Sequence, residues 1–130
     1  MDYQAILECQ LLSMESKIAF PAVVQRLLNA GVDSYDIDLV KGRQIYFDIY
    51  NQPFDVPFVM DDLPAIGVSF DASSVAQVVL RSQRQEITYA EFIREIMKAG
   101  TCRYTVSLME ERVVYESPDG RFHVEPFVVK

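Results

Sequence analysis

The sequence predicts an α+β fold made by internal duplication. A helix-helix-β-hairpin(-strand) unit is written twice, giving a mainly antiparallel sheet with helices packed against it. Three observations carry this. Sliding the chain on itself by 69 residues aligns 2–61 with 71–130 without a gap, and thirteen of the sixty pairs are identical. The hydrophobic period changes from that of a helix to that of a strand at the same point in both copies. At 130 residues the chain is long enough to bury a core as one domain without metal or disulfide staples. That domain is expected to span 1–130, with repeats 2–61 and 71–130 joined by 62–70. The joining segment "DLPAIGVSF" is too apolar for a floppy linker.

Each repeat begins with a helix, about 3–14 in the first copy and 72–84 in the second, where Asp71 or Ser73 offers a cap. A second helix follows. Phe20, Val23, Val24, Leu27 and Leu28 form one stripe, and Tyr89, Phe92, Ile93, Ile96 and Met97 repeat its spacing. Pro21 suits a first helical turn, and Thr88 with Glu91 spells a capping box. Gly31 and Gly100 stand just past the stripes, where a residue tolerant of positive φ ends a helix.

The period then becomes two. Tyr35, Ile37 and Leu39 face one way, Asp36 and Asp38 the other; Tyr104, Val106 and Leu108 alternate with Arg103, Thr105 and Ser107. Turns near Lys41-Gly42 and Glu110-Glu111 return the chain into strands of roughly 44–50 and 113–117. A third strand is expected at 121–129. Its counterpart around Pro57–Met60 should be shorter, because Pro53 and Pro57 lack ladder donors.

Charge and composition exclude several function classes. The net charge is −7, with ten acids and four bases in residues 1–65 against nine and eight in 66–130. That balance disfavours nucleic acid and anionic lipid as partners. The apolar runs are too short for a membrane span, and the N-terminus lacks the basic region of a signal peptide, so the cytoplasm is the expected compartment. Cys9 and Cys102 are far apart and are expected to be reduced and mostly buried. No spacing of soft ligands suggests a metal, and no cofactor motif is present.

The lone His123 has no triad partner near it in sequence, and its repeat equivalent is Phe54, so a strand-face or rim position is expected. Asp36 and Asp38 share a strand face and could meet a cation or a basic partner; a solvated face is the plainer expectation. The most suggestive phrase is Arg-x-x-Tyr, kept as Arg43/Tyr46 and Arg112/Tyr115. Around a pseudo-twofold axis these four could bracket an anion or a partner's side chain. The plainer alternative is Arg packed over a neighbouring ring.

The run "EITYAEFIREIMKAGTCRYTVSLMEERVVYESPDGRFHVEPF" resembles the C-terminal half of the YdfO/YbcV-like prophage-associated family of unknown function. "FPAVVQRLLNAGVDSYDIDL" is similar to its first half. The shared features are an aromatic-Pro helix start, an Ala-Gly helix end and a strand pair closing on Val-Glu-Pro. The resemblance implies no catalytic residues; the label phage envelope protein is sometimes attached to the family. The expected function is therefore a small acidic, non-enzymatic protein that binds a protein partner, of prophage or mobile-element type; a homodimer is compatible with it. The alternative is a domain that binds a small molecule or anion in a pocket between the two repeats.

Overall fold

The computed structural model describes residues 1–127. Ten elements follow in two identical series of five: α1 Tyr3–Met14, α2 Phe20–Asn29, β1 Ser34–Asp38, β2 Arg43–Phe47, β3 Pro53–Pro57, then α3 Ala72–Gln83, α4 Tyr89–Lys98, β4 Arg103–Ser107, β5 Arg112–Glu116 and β6 Phe122–Pro126. Every element of the second series begins and ends 69 residues after its counterpart. The backbone repeats as closely as the pattern. Of the nine described residues with positive φ, eight fall in the repeat pairs Ser16/Gln85, Gly31/Gly100, Gly42/Glu111 and Asn51/Gly120.

The six strands form one antiparallel sheet in the order β3-β2-β1-β4-β5-β6. The two halves meet in the middle, where β1 pairs with β4 and Asp36 stands opposite its own repeat equivalent, Thr105. A pseudo-twofold axis therefore passes between these two residues. All four helices lie on one face of the sheet, the face to which Tyr35, Ile37, Gln44, Tyr46, Tyr104, Val106, Val113 and Tyr115 point and on which they are buried. The other face carries Asp36, Arg43, Arg103 and Arg112 and is half-buried to exposed.

Local chemistry explains the ends of the elements. Asp2 and Asp71 cap α1 and α3 by accepting from the amides of Ala5 and Ser74, both at 3.1 Å. The capping box of α4 forms, with Thr88 Oγ1 accepting from Glu91 N at 3.1 Å and Glu91 Oε1 from Thr88 N at 2.8 Å. At α2 the equivalent residue is Ala19, which offers no side-chain cap. Residues 62–70 pack down as their apolar character requires: Leu63, Ile66 and Phe70 rest against the core, and Gly67 N donates to Met97 O. Arg94 ties the start of the segment by donating to the carbonyls of Asp61 and Asp62.

Strand bounds differ from expectation at three places. β2 and β5 end at Phe47 and Glu116, short of 50 and 117, because Asp48 and Ser117 begin turns closed by their own side chains. β3 lies at Pro53–Pro57, ahead of the expected 57–60, and is no shorter than β6; both have five residues. Pro53 and Pro57 fit because β3 is an edge strand, where a missing donor leaves no ladder bond unmade. β6 ends at Pro126, and the expected extension to 129, with the Val59/Val128 pair, lies outside the described residues.

The repeated Pro-Phe phrase has a packing role that joins the halves. Phe58, after β3, packs edge-on against Tyr89 at the start of α4, with centroids 6.4 Å apart. Phe127, after β6, packs edge-on against Phe20 at the start of α2 at 5.0 Å. Each half thus holds the other's helix start.

Candidate functional site

The arrangement that draws attention lies under the helices, on the pseudo-twofold axis. A cavity of about 820 Å³ opens between the two helix pairs and the sheet. Its floor comes from the four central strands: Tyr35, Tyr46 and Gln44 from one repeat, Tyr104, Tyr115, Val106 and Val113 from the other. Cys9, Gln10 and Val23 form one wall; Val79 and Phe92 form another. The interhelical loops, 16–19 and 85–88, exposed except at Ile18 and Ile87, surround the mouth. Ser16 and Gln85, both left-handed, turn these loops, and Ser16 Oγ accepts from Tyr89 N at 2.9 Å, linking one rim to the other.

The tyrosines are placed by strand pairing. Tyr35 lies directly across from Tyr46, and Tyr104 across from Tyr115, so each repeat contributes one tilted ring pair, with centroids 5.4 and 5.5 Å apart. Tyr89 leans in from α4 and shares a hydrogen bond of 2.8 Å between its hydroxyl and that of Tyr104. The hydroxyls of Tyr35, Tyr46 and Tyr115 find no partner among the described residues. Unlike Thr101 Oγ1, which is sealed away without one, they border the cavity.

Burial fixes the protonation of this lining. It pushes the phenols of Tyr35, Tyr46, Tyr89, Tyr104 and Tyr115 well above their usual pKa, because an ionised ring would lose its water. At Tyr89 the hydrogen bond with Tyr104 opposes the rise. Burial also raises the Cys9 thiol, partly offset by Arg26. The floor is therefore a set of neutral O–H donors and ring surfaces, suited to holding an apolar guest and ill suited to supplying an anionic nucleophile at neutral pH.

The residues singled out by Arg-x-x-Tyr separate. Tyr46 and Tyr115 belong to the cavity floor, whereas Arg43 and Arg112 project from the opposite face of the sheet. Residues three apart in a strand point in opposite directions, so no bracket of two Arg and two Tyr can form. Nor does Arg43 lie over a ring: its Nε donates to Asp55 across the β2–β3 pair at 2.9 Å. Arg112 approaches Glu110 at 3.2 Å.

Asp36 and Asp38 do share a face, and each has a structural duty there. Asp36 meets Arg103 of the other repeat at 3.1 Å. Asp38 accepts from the amides of Val40 and Lys41, closing the β1–β2 turn. His123 is half-buried on β6, its Nε2 at 2.7 Å from Glu125 Oε1. Cys9 is buried, and Cys102, between α4 and β4, is half-buried. Among the described residues no three His, Cys, Asp or Glu side chains gather, and no helix is long and apolar enough to cross a membrane.

Sequence reasoning reached Tyr46 and Tyr115 but missed Tyr35, Tyr104, Tyr89 and Gln44 as cavity residues. A parity count would have found most of them. Tyr35 and Tyr104 are as fully repeated as the Arg-x-x-Tyr tyrosines and alternate with Asp36 and Thr105 in their own strands, and within β2 and β5 the inward-facing positions are an odd step from the arginines.

Fold and site together define a duplicated α+β domain with an internal, tyrosine-floored cavity where its repeats meet. The chain belongs to the family described as "Protein of unknown function (DUF1398)", whose model matches residues 13–125. No curated protein matches the chain.

Proposed function

We propose that this chain is a non-enzymatic small-molecule-binding domain, with its ligand held in the cavity between the two repeats. The observation that carries the proposal is the cavity floor. About 820 Å³ of space is bordered by aromatic rings and by phenol donors that have no partner among the described residues. Ligand sites are concave, mostly apolar and furnished with a few converging polar groups, and a volume in this range suits a drug-sized molecule. Neutral phenols, a protonated Cys9 thiol and a His123 paired to Glu125 support binding without chemistry.

A protein partner drawn to the acids between residues 36 and 62 has less to stand on. Asp36, Asp38, Asp48 and Asp55 are engaged by Arg103, by two turns and by Arg43. The likeness of both halves to the YdfO/YbcV-like family supports a prophage or mobile-element setting, and the free Cys9 and Cys102 support action in the cytoplasm.

Titration with Nile red tests the proposal. Native protein should take up the dye saturably, one molecule per chain, with blue-shifted emission. Ser13→Phe with Ser82→Phe, half-buried repeat equivalents on the cavity lining, should abolish uptake while the circular dichroism spectrum is kept. Absence of saturable uptake by the folded native chain would overturn it.

A further inference from the structure

We infer that the cavity selects an uncharged, largely apolar molecule bearing carbonyl-type acceptor oxygens, which the phenols of Tyr35, Tyr46 and Tyr115 recognise; this rests on the binding proposal above. The first half of the inference concerns charge. An ion taken from water into such a space needs a buried counter-ion. Arg43 and Arg112 lie beyond the sheet, and the cationic side chain on the lining, Lys17, sits exposed at the mouth beside Glu15 at 3.3 Å. An anion therefore meets no cation on the floor. For a cation the lining carboxylates are engaged elsewhere: Glu91 holds the Thr88 cap, Glu125 is shared with His123, and Glu86 is exposed at the mouth, so the ring faces are left as the main attraction.

The second half concerns hydrogen bonding. Tyr35, Tyr46 and Tyr115 border the cavity while almost wholly buried, and their hydroxyls meet no acceptor among the described residues. Gln44, the buried amide on the same floor, already accepts from Gln10 Nε2 at 2.9 Å through its oxygen. The floor is thus short of acceptors rather than donors. A guest that brought only apolar surface would leave buried O–H groups unmatched, whereas a carbonyl oxygen would satisfy them. Because Tyr46 and Tyr115 are repeat equivalents, donors approach from both sides of the axis.

Four probes on one ring system separate the possibilities: acetylnaphthalene, ethylnaphthalene, naphthoate and naphthyltrimethylammonium, each titrated against the native chain by displacement of Nile red and by calorimetry. Acetylnaphthalene should bind at least about fivefold more tightly than ethylnaphthalene, the ratio expected of one neutral hydrogen bond. It should also exceed both ions. Tyr46→Phe and Tyr115→Phe should narrow the gap between the two neutral probes, weakening acetylnaphthalene while ethylnaphthalene, with no O–H left unmatched, binds no more weakly than before. Equal affinity for the two neutral probes, or preference for either ion, would overturn the ligand class and leave the cavity as a binding site. If Nile red and all four probes fail to bind, the binding proposal itself is overturned. The comparison of probes on the native chain needs no variant to fold.

Discussion

The two repeats share every element boundary and yet differ in how they are secured. α4 starts with a complete capping box, whereas α2 starts at Ala19 with none. A Cβ added to Gly31, at the end of α2, would make an ordinary 3.5 Å contact with Met1, while one added to Gly100, at the end of α4, would come within 2.8 Å of the backbone of Phe70 and Ser69. The difference at the glycines lies in what packs against them. The second repeat is preceded by residues 62–70, which lie over the end of α4. It teaches that duplication copies the backbone path, while the surroundings decide which residues are replaceable.

The largest effect expected tests what the repeats have in common. Both contribute buried phenols with raised pKa, and an acid whose folded pKa is raised binds its proton more tightly in the native state. The stability this provides is complete below the unfolded tyrosine pKa of about 10 and is lost as pH rises beyond it, at about 1.4 kcal/mol per phenol per pH unit. Denaturant titrations across that range should show steep alkaline loss. Replacing Tyr46 and Tyr115 with Phe should each flatten it to a similar degree. Flattening by one alone would break the equivalence of the two ring pairs.

Next come the matched core positions. Leu27 and Ile96 are 1% and 0% exposed, so Leu27→Ala and Ile96→Ala should each cost about 2–5 kcal/mol in chemical denaturation. A cost in one repeat far below the other would show that the halves do not share one cooperative core.

The helix-end glycines sharpen the contrast. Both have positive φ, +87° at Gly31 and +102° at Gly100, so alanine is strained at either. At Gly31 the cost should be about 1–2 kcal/mol. Gly100→Ala adds the overlap with Phe70 and Ser69 and should cost about 1–3 kcal/mol more. Equal melting temperatures for the two variants would contradict the packing of residues 69–70 over α4.

The smallest effect concerns the caps. Thr88→Ala should cost about 1 kcal/mol. Ala19→Thr combined with Ala22→Glu, which writes the missing box into the first repeat, should gain a comparable or smaller amount. A destabilised double variant in thermal melting would show that the α2 start is fixed by Phe20 on Phe127 in a geometry the box does not fit.

Much of this architecture was written locally. The stripe from Phe20 to Leu28, the alternation from Ser34 to Leu39, the Thr88–Glu91 box and the glycines at 31 and 100 each depend on residues within a few positions of one another. Hydrogen bonding and side-chain period over that range dictate helix, strand and their ends whatever the rest of the chain does. The repeat offset follows, because the same local grammar recurs after 69 residues. Strand parity even held the answer for Arg43 and Tyr46, although the shared phrase suggested that they act together.

What tertiary structure alone decided is what joins residues far apart in the chain. The central pairing of β1 with β4 sets Asp36 against Thr105, makes the sheet continuous and turns Asp36 from a surface charge into a partner of Arg103. The crossing of Phe58 to Tyr89 and of Phe127 to Phe20 was likewise invisible, since neither ring has its partner in its own repeat. The cavity is the clearest case. It exists because two helix pairs, each fitted to its own half of the sheet, leave space above the axis where the halves meet. No local period encodes such a space: it depends on how surfaces from both repeats fail to fill the volume between them.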